Sequence, residues 1–161
     1  MLCRTQDDER CAILSSMGNR IRNRLPVIFG LMFFIVSCTF AQTARTIQVD
    51  VTYTGSGKVD ASHKIYVALW DSADTNAGPP AALKSLEAKK GTVTFSDVQK
   101  APAFVSVAYD PTGKWQAQSP PPSGSSVAMY SEKPPQATPI NVAPGKTARV
   151  KLTFDDKSKV P

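Results

Sequence analysis

The hydrophobic residues of this chain recur with a two-residue period in several short stretches. Residues 47–53 alternate strictly, with apolar side chains at Ile47, Val49, Val51 and Tyr53. Residues 104–109 and 147–154 show the same alternation, with Val107 and Leu152 among the apolar positions. Because successive side chains of a β-strand point to opposite faces, the pattern predicts strands that each bury one face.

Two further stretches depart from simple alternation. Residues 65–70 (IYVALW) are apolar on both faces, which predicts a central strand with one face in the core and the other beneath a loop or an edge. Residues 81–90 contain good helix formers, with Leu83 and Leu86 at helical spacing, so a helix and a strand both fit. The strand patterns on either side favour an extended segment there.

Proline, glycine and serine separate these stretches. Residues 116–126 include three consecutive prolines and are too proline-rich to pack into a sheet. Residues 143–146 (APGK) place proline and glycine at the centre of a type II turn. Seven or eight short strands between residues 46 and 154 therefore predict an all-β domain, an antiparallel Greek-key β-sandwich. Residues 42–45 are then a short linker and residues 155–161 a polar tail.

The N-terminal region has the layout of a secretory signal peptide. Arg20, Arg22 and Arg24 precede an uncharged apolar run, residues 25–36, and small residues follow that run. The run is shorter than the about 20 residues that span a bilayer, so a cleaved signal is favoured over an uncleaved membrane anchor. We predict a signal peptide at residues 17–41, with residues 1–16 an N-terminal extension or a mis-assigned start.

Two cleavage sites compete at the end of this signal. Thr39-Phe40-Ala41 suits an ordinary signal peptidase, which would release a chain beginning at Gln42. Ile35-Val36-Ser37-Cys38 resembles the bacterial lipobox, in which Cys38 would be lipidated. Isoleucine replaces the usual leucine at the first lipobox position, so the soluble product is favoured. Cleavage before Gln42 predicts a periplasmic or secreted domain, whereas cleavage before a lipidated Cys38 predicts a membrane-anchored lipoprotein.

Cysteine content and charge narrow the class of protein further. All three cysteines lie within the first 38 residues, so the predicted domain cannot form an internal disulfide or a cysteine-ligated zinc site. From Gln42 onward there are 14 Lys and Arg against 10 Asp and Glu, a net charge of +4, scattered singly along the chain. Scattered lysines are typical of a solvated surface, so nucleic acid is not expected as a partner.

Four segments together resemble a known class of domain. They are a strand (IYVALWDS), a hairpin (AKKGTVTFSDV), a second strand (FVSVAYD) and a final APGKTARVKLTF. They look like the transthyretin-like sandwiches of bacterial exported proteins, including carboxypeptidase regulatory-like domains and small periplasmic domains of unknown function. The best match is the core Gly91, Val93, Phe95 and Val98. The resemblance covers residues 46–154 and implies a transthyretin-like or immunoglobulin-like sandwich and an extracytoplasmic location, not an activity.

The residues that could support catalysis or metal binding are few. His63 is the only histidine, and no serine of the sequence lies in a nucleophile elbow, so a surface or strand-edge role is favoured. Asp71, Asp74 and Asn76 are oxygen donors of the type that calcium binds, but they lack the spacing of a calcium loop. Turn formation is the favoured role for these two aspartates. We therefore predict no catalytic residue, no metal site and no cofactor.

Aromatic residues offer the remaining candidate site. Trp115, with Tyr109 and Trp70, is predicted to form an aromatic platform at one end of the sandwich, or else to cover the edge of the core. Tyr109, Asp110 and Trp115 are the predicted partner-binding residues. These features favour an exported, non-enzymatic module of the cell envelope that binds a protein, peptide or glycan through loops at one end of the sandwich. The alternatives are a small hydrolase or metal-binding enzyme that uses His63 and acidic loop residues, and a purely structural envelope lipoprotein. Contact with a membrane is expected only through the signal peptide or a lipidated Cys38.

Overall fold

The computed structural model describes residues 44–117 and 119–161, and these form seven β-strands without a helix. In chain order the strands are β1 (Thr46–Tyr53), β2 (Ile65–Trp70), β3 (Ala82–Leu86), β4 (Lys90–Phe95), β5 (Phe104–Tyr109), β6 (Ser126–Met129) and β7 (Thr147–Phe154). β3 and the first residue of β4 lie in the stretch 81–90, in which helix and strand both fitted the sequence, so the extended interpretation is confirmed.

The strands form two sheets, with the order β4-β1-β7 in one and β3-β2-β5-β6 in the other. Every pair of neighbours is antiparallel except β1 and β7, which run parallel from Thr46↔Thr147 to Tyr53↔Phe154. The prediction of an entirely antiparallel sandwich is therefore wrong for this pair. Parallel neighbours need a long connection between them, and here the other five strands lie between β1 and β7 along the chain.

The inner faces of the two sheets pack against each other as in a β-sandwich. Side chains of β1, β4 and β7 meet those of β2 and β5 in one core, which contains Ile47, Val49, Val51, Tyr53, Ile65, Val67, Leu69, Val93, Phe95, Val105, Val107, Tyr109, Val150, Leu152 and Phe154. The period-two alternation thus predicts the buried faces of β1, β5 and β7 correctly. Val93, Phe95 and Val98 of the quoted core motif are buried as well.

The connection between β6 and β7 ends in the predicted turn. The Lys146 N–H donates to the Ala143 carbonyl at 3.0 Å, and Gly145 has a φ of +72°. This positive φ is what the third position of a type II turn requires, and glycine adopts it without steric cost. Ile140 and Val142, just before the turn, are buried in the core.

Residues 155–161 are not a free tail. Val127 N–H donates to the Ser158 carbonyl and Val160 N–H to the Ser125 carbonyl, both at 2.9 Å, so this segment runs beside β6. The Asp156 carboxylate holds it in place by accepting hydrogen bonds from the Tyr53 and Ser126 hydroxyls and from Ser56. The Tyr53 hydrogen bond, with those from Ser56 and Ser126, lowers the pKa of Asp156 to about 2 against the effect of burial.

The predicted N-terminal extension, the signal peptide at residues 17–41 and Cys38 lie outside the described residues. In the part of the chain that the structure describes, there is no helix of the length and hydrophobicity needed to cross a bilayer.

Candidate binding groove

The two sheets have chemically different outer faces. The outer face of β4-β1-β7 is polar: the Thr92 hydroxyl donates to Asp50 Oδ1 at 2.6 Å, and Arg149 Nη2 donates to Gln48 Oε1 at 2.6 Å. The outer face of β3-β2-β5-β6 is predominantly apolar, with Ala68, Trp70, Leu83, Ala108, Val127 and Met129. A strand face that is apolar and points away from the core needs another cover or a ligand.

Loops fold over this apolar face and leave a groove, which we name the tryptophan groove. Its floor is the outer face of β2, β5 and β6, and its walls come from residues 75–80 of the β2–β3 connection and from residues 115–117 and 119–121 of the β5–β6 connection. The cavity has a volume of about 500 Å³. Trp70 and Trp115 both line it, together with Leu83, Met129, Pro79, Pro80, Pro120, Pro121 and Val160.

The two tryptophans lie toward opposite ends of the sheet rather than at one end of the sandwich. Trp70 pairs with Phe104 at the end where β2 finishes, whereas the connection that carries Trp115 leaves β5 after Tyr109, opposite Ile65. The indole ring of Trp115 lies edge-on against the ring of Tyr66, with 4.5 Å between the ring centroids. The aromatic platform expected at one end is therefore replaced by a groove along the sheet face.

Asp110 positions the loop that carries Trp115. Its carboxylate is buried, 2% exposed, and accepts hydrogen bonds from the Thr112 N–H at 2.8 Å, the Lys114 N–H at 3.0 Å and the Trp115 N–H at 2.9 Å. Burial alone would raise the pKa of Asp110, but the hydrogen bonds from Thr112, Trp115 and Lys114 outweigh it and lower that pKa. Asp110 thus acts on the groove through the loop and does not present its carboxylate at the surface.

Tyr109 also lies below the surface. Its ring is 2% exposed and packs against Tyr53, with 4.8 Å between the ring centroids. Its hydroxyl donates to the Lys58 carbonyl at 2.8 Å. Of the three predicted partner-binding residues, Trp115 is therefore the one whose side chain reaches a cavity.

His63 lies at the surface beside a carboxylate. Its Nδ1 is 3.0 Å from Asp60 Oδ1, and both side chains are about one third exposed, at 34% and 31%. Lys58 Nζ, 2.9 Å from Asp60 Oδ2, and the backbone of Ser62 and His63 complete the neighbourhood of this carboxylate. His63 lines neither of the two cavities around Trp115. The pair therefore lies in a partly solvent-exposed turn.

The oxygen donors of the β2–β3 connection also have local partners. Asp74 Oδ1 accepts a hydrogen bond from the Asn76 N–H at 2.9 Å, which is the turn role predicted for it. Asp71 instead forms an ion pair with Lys100, 3.0 Å apart. Among the described residues no group of three or more His, Cys, Asp and Glu side chains lies close enough to hold a metal ion.

A second, more open cavity lies on the other side of Trp115. It has a volume of about 580 Å³ and shares Trp115, Ser119 and Pro120 with the tryptophan groove. Its other lining residues are Thr112, Lys114, Gln116 and Pro122. Trp115 thus borders both the uncharged tryptophan groove and a depression that contains Lys114.

Sequence reasoning missed most of the groove residues. Leu83, Met129 and Val160 come from three distant segments, and none of them carries a chemical signature of binding. The available signal was the doubly apolar character of residues 65–70, which did predict that the outer face of β2 is covered. It could not show which segments cover that face. In the searches of protein families and of curated proteins, no family model and no curated sequence matches this chain.

Proposed function

We propose that this protein is a non-enzymatic module of the cell envelope that binds its partner in the tryptophan groove. The observation that carries the proposal is the contrast between the two sheets. The outer face of one sheet is polar and has hydrogen bonds between its side chains, whereas the outer face of the other forms an apolar groove with two tryptophans. Ligand sites are usually concave and largely apolar, with a few placed polar groups, and the tryptophan groove has these properties. Its walls are loops, which is where sandwich folds usually carry their binding residues.

Family and location are part of the same proposal. We infer that the domain is a Greek-key sandwich of the transthyretin-like class and that the N-terminal residues direct it out of the cytoplasm. The sequence segments quoted above and the seven strands in two sheets support the first inference. The positive segment and the apolar run at residues 20–36 support the second.

The N-terminal processing gives a direct test of the location. In the protein purified from its native host, we expect an intact mass that corresponds to a chain starting at Gln42, or to one starting at a lipidated Cys38. A mature chain that still contains Arg20 would contradict the export proposal.

Trp115→Ala tests the binding site itself. The only two tryptophans of the chain both line the groove, so intrinsic fluorescence reports any compound that enters it. We expect the wild type to show a saturable change in emission with at least one member of a panel of peptides, glycans and amphiphiles. In Trp115→Ala, with Trp70 as the reporter, that affinity should fall by about tenfold or more, because one aromatic wall is removed. The thermal midpoint should change by only a few degrees, since Trp115 lies outside the core.

Tyr130→Ala is the matched control. Tyr130 is a half-buried aromatic residue that packs against the core and does not line the groove. Its truncation should lower the thermal midpoint more than Trp115→Ala does, while leaving the affinity of the groove unchanged. If Trp115→Ala instead causes the large fall in midpoint and leaves binding intact, Trp115 is a structural cover and the proposed site is wrong.

A further inference from the structure

The hydrogen-bonding groups around the tryptophan groove indicate what kind of ligand it accepts, provided that the proposed binding function is correct. Trp70 Nε1 donates to Ser106 Oγ at 2.8 Å, and Trp115 Nε1 donates to the Ser119 carbonyl at 2.9 Å. The Tyr66 hydroxyl, beneath Trp115, donates to the Trp115 carbonyl at 3.0 Å. All three aromatic donors near the groove are therefore engaged within the protein.

This engagement disfavours the polar ligand classes. Sugar hydroxyls and peptide carbonyls lose their hydrogen bonds to water when they enter a groove, and leaving them without new partners costs free energy. Aromatic grooves that bind proline-rich segments or sugars must supply such partners in addition to ring faces. In the tryptophan groove the indole and phenol rings offer their faces, but their N–H and O–H groups already donate hydrogen bonds to other atoms of the protein. A ligand portion without polar groups does not incur this cost.

The charge of the groove indicates the same class. None of the described residues that line it carries a formal charge, although the domain has a lysine excess elsewhere. The polar side chains among them are Thr75, Asn76, Ser106 and Ser119, and the Ser106 hydroxyl is already bonded to Trp70. The groove is therefore complementary to an uncharged, apolar ligand portion. A volume of about 500 Å³ is within the range of ordinary small-molecule sites.

We propose that the tryptophan groove binds a single hydrocarbon chain, such as the acyl chain of a fatty acid or of a lipid. The chain lies along the floor formed by Ala68 and Ala108, between the rings of Trp70 and Trp115. The polar head group stays at the open side of the groove. Ala68 and Ala108 suit this role because their small side chains leave room above the sheet.

Alkyl maltosides of increasing chain length test this proposal against both polar classes. Octyl, decyl and dodecyl maltoside are titrated below their critical micelle concentrations into the protein purified from its native host, and tryptophan emission is recorded. We expect a saturable shift to shorter wavelength, with an affinity that rises by up to about fourfold per methylene group. Maltose, which has the same head group without the chain, and a proline decapeptide should cause no change. Dodecanoate has a charged head group and dodecanol has a neutral one on the same chain. Comparing their affinities shows whether the groove requires a charged head group or the chain alone.

The outcomes separate the ligand class from the binding function. Equal binding of maltose and dodecyl maltoside, or binding of the peptide without the alkyl compounds, would overturn the hydrocarbon proposal and leave the groove as a binding site. No saturable change with any compound would contradict the proposed binding function itself. If the emission shifts with protein concentration alone and the alkyl compounds then no longer bind, a second copy of the chain occupies the groove. That result would also overturn the proposal.

Ala108→Leu tests whether the hydrocarbon site lies on the outer face of the sheet. The larger side chain fills the floor, so dodecyl maltoside affinity should fall by about tenfold or more. Thr52→Leu, on the outer face of the other sheet, is the matched control and should leave affinity unchanged. If circular dichroism shows that Ala108→Leu does not fold, Met129→Lys, at a half-buried position of β6 in the floor of the groove, is used instead. Unchanged affinity in a folded variant of either kind would overturn the assignment.

Discussion

Val107→Asp is expected to unfold the domain. Val107 is 1% exposed, lies opposite Val67 of β2 and belongs to the core between the sheets. An aspartate there would bury a carboxylate without a partner, at a cost of several kcal/mol. That cost is comparable with the whole stability of an ordinary domain, about 5–15 kcal/mol. Circular dichroism should show loss of the β-sheet signal, and little folded protein should be recovered.

Ser106→Asp is the control one residue away. Ser106 lies on the opposite face of β5 and lines the tryptophan groove. It is partly buried, and its hydroxyl accepts a hydrogen bond from Trp70 Nε1. A carboxylate can accept the same hydrogen bond and remain partly hydrated, so we expect a loss of only about 1–2 kcal/mol. Equal damage at both positions would show that the groove is closed to water. Equal tolerance would show that Val107 is not in the core.

Asp110→Ala is expected to lower stability strongly and to release the loop that carries Trp115. The substitution removes the acceptor of three backbone N–H groups, those of Thr112, Lys114 and Trp115. Partial hydration of the opened loop limits the cost, so we expect a loss on the order of 3 kcal/mol. For a domain of this size that loss corresponds to a fall in the thermal midpoint of roughly 10 °C. Calorimetry measures the midpoint, and tryptophan emission should move to longer wavelength as Trp115 becomes hydrated.

Asp74→Ala is the matched control for this second prediction. Asp74 accepts a backbone hydrogen bond in a turn of similar kind, but the residue is exposed. Water replaces an exposed acceptor readily, so the midpoint should fall by no more than a few degrees. A similar fall in both variants would mean that burial adds nothing to the role of Asp110.

Acid dependence adds an independent signature of Asp110. Its pKa is lower in the folded protein than the usual value of about 4, so its contribution to stability is fully present above about pH 4. The contribution is lost as pH falls through the lower pKa of the folded state. Asp156 behaves in the same direction, because its pKa in the folded protein is about 2. Asp110→Ala should therefore lose less stability than the wild type below pH 4. An identical acid profile would contradict the hydrogen-bonded role.

The local elements of this fold could be predicted because they depend on near neighbours along the chain. Alternation in residues 47–53 and 147–154 predicts which face of β1 and β7 is buried, and the structure confirms both. The turn at residues 143–146 follows from the conformational limits of proline and glycine. The ambiguity at residues 81–90 could be resolved only from context, because helix propensity is weaker than the pairing of β3 with β2.

The candidate site depends on distant segments, so its composition could be predicted only in part. Of the three residues that the sequence indicates for partner binding, Trp115 lines a cavity, whereas Tyr109 and Asp110 are buried. A polar residue directly after a strand gives no signal of its burial. Whether the Asp110 carboxylate faces water or its own loop depends on the path of residues 112–115, which the local pattern does not specify.

For this protein the sequence alone determined where strands form, which of their faces enter the core and that the outer face of β2 must be covered. These properties follow from the two-residue period and from the free energy of removing apolar groups from water, and both act on neighbouring residues. Only the tertiary structure decided that β1 and β7 run parallel, that residues 155–161 run beside β6 and that Trp70 and Trp115 share one groove. Those features depend on contacts between segments 30 or more residues apart along the chain. The choice among such contacts depends on strand register and on loop paths, not on local preference.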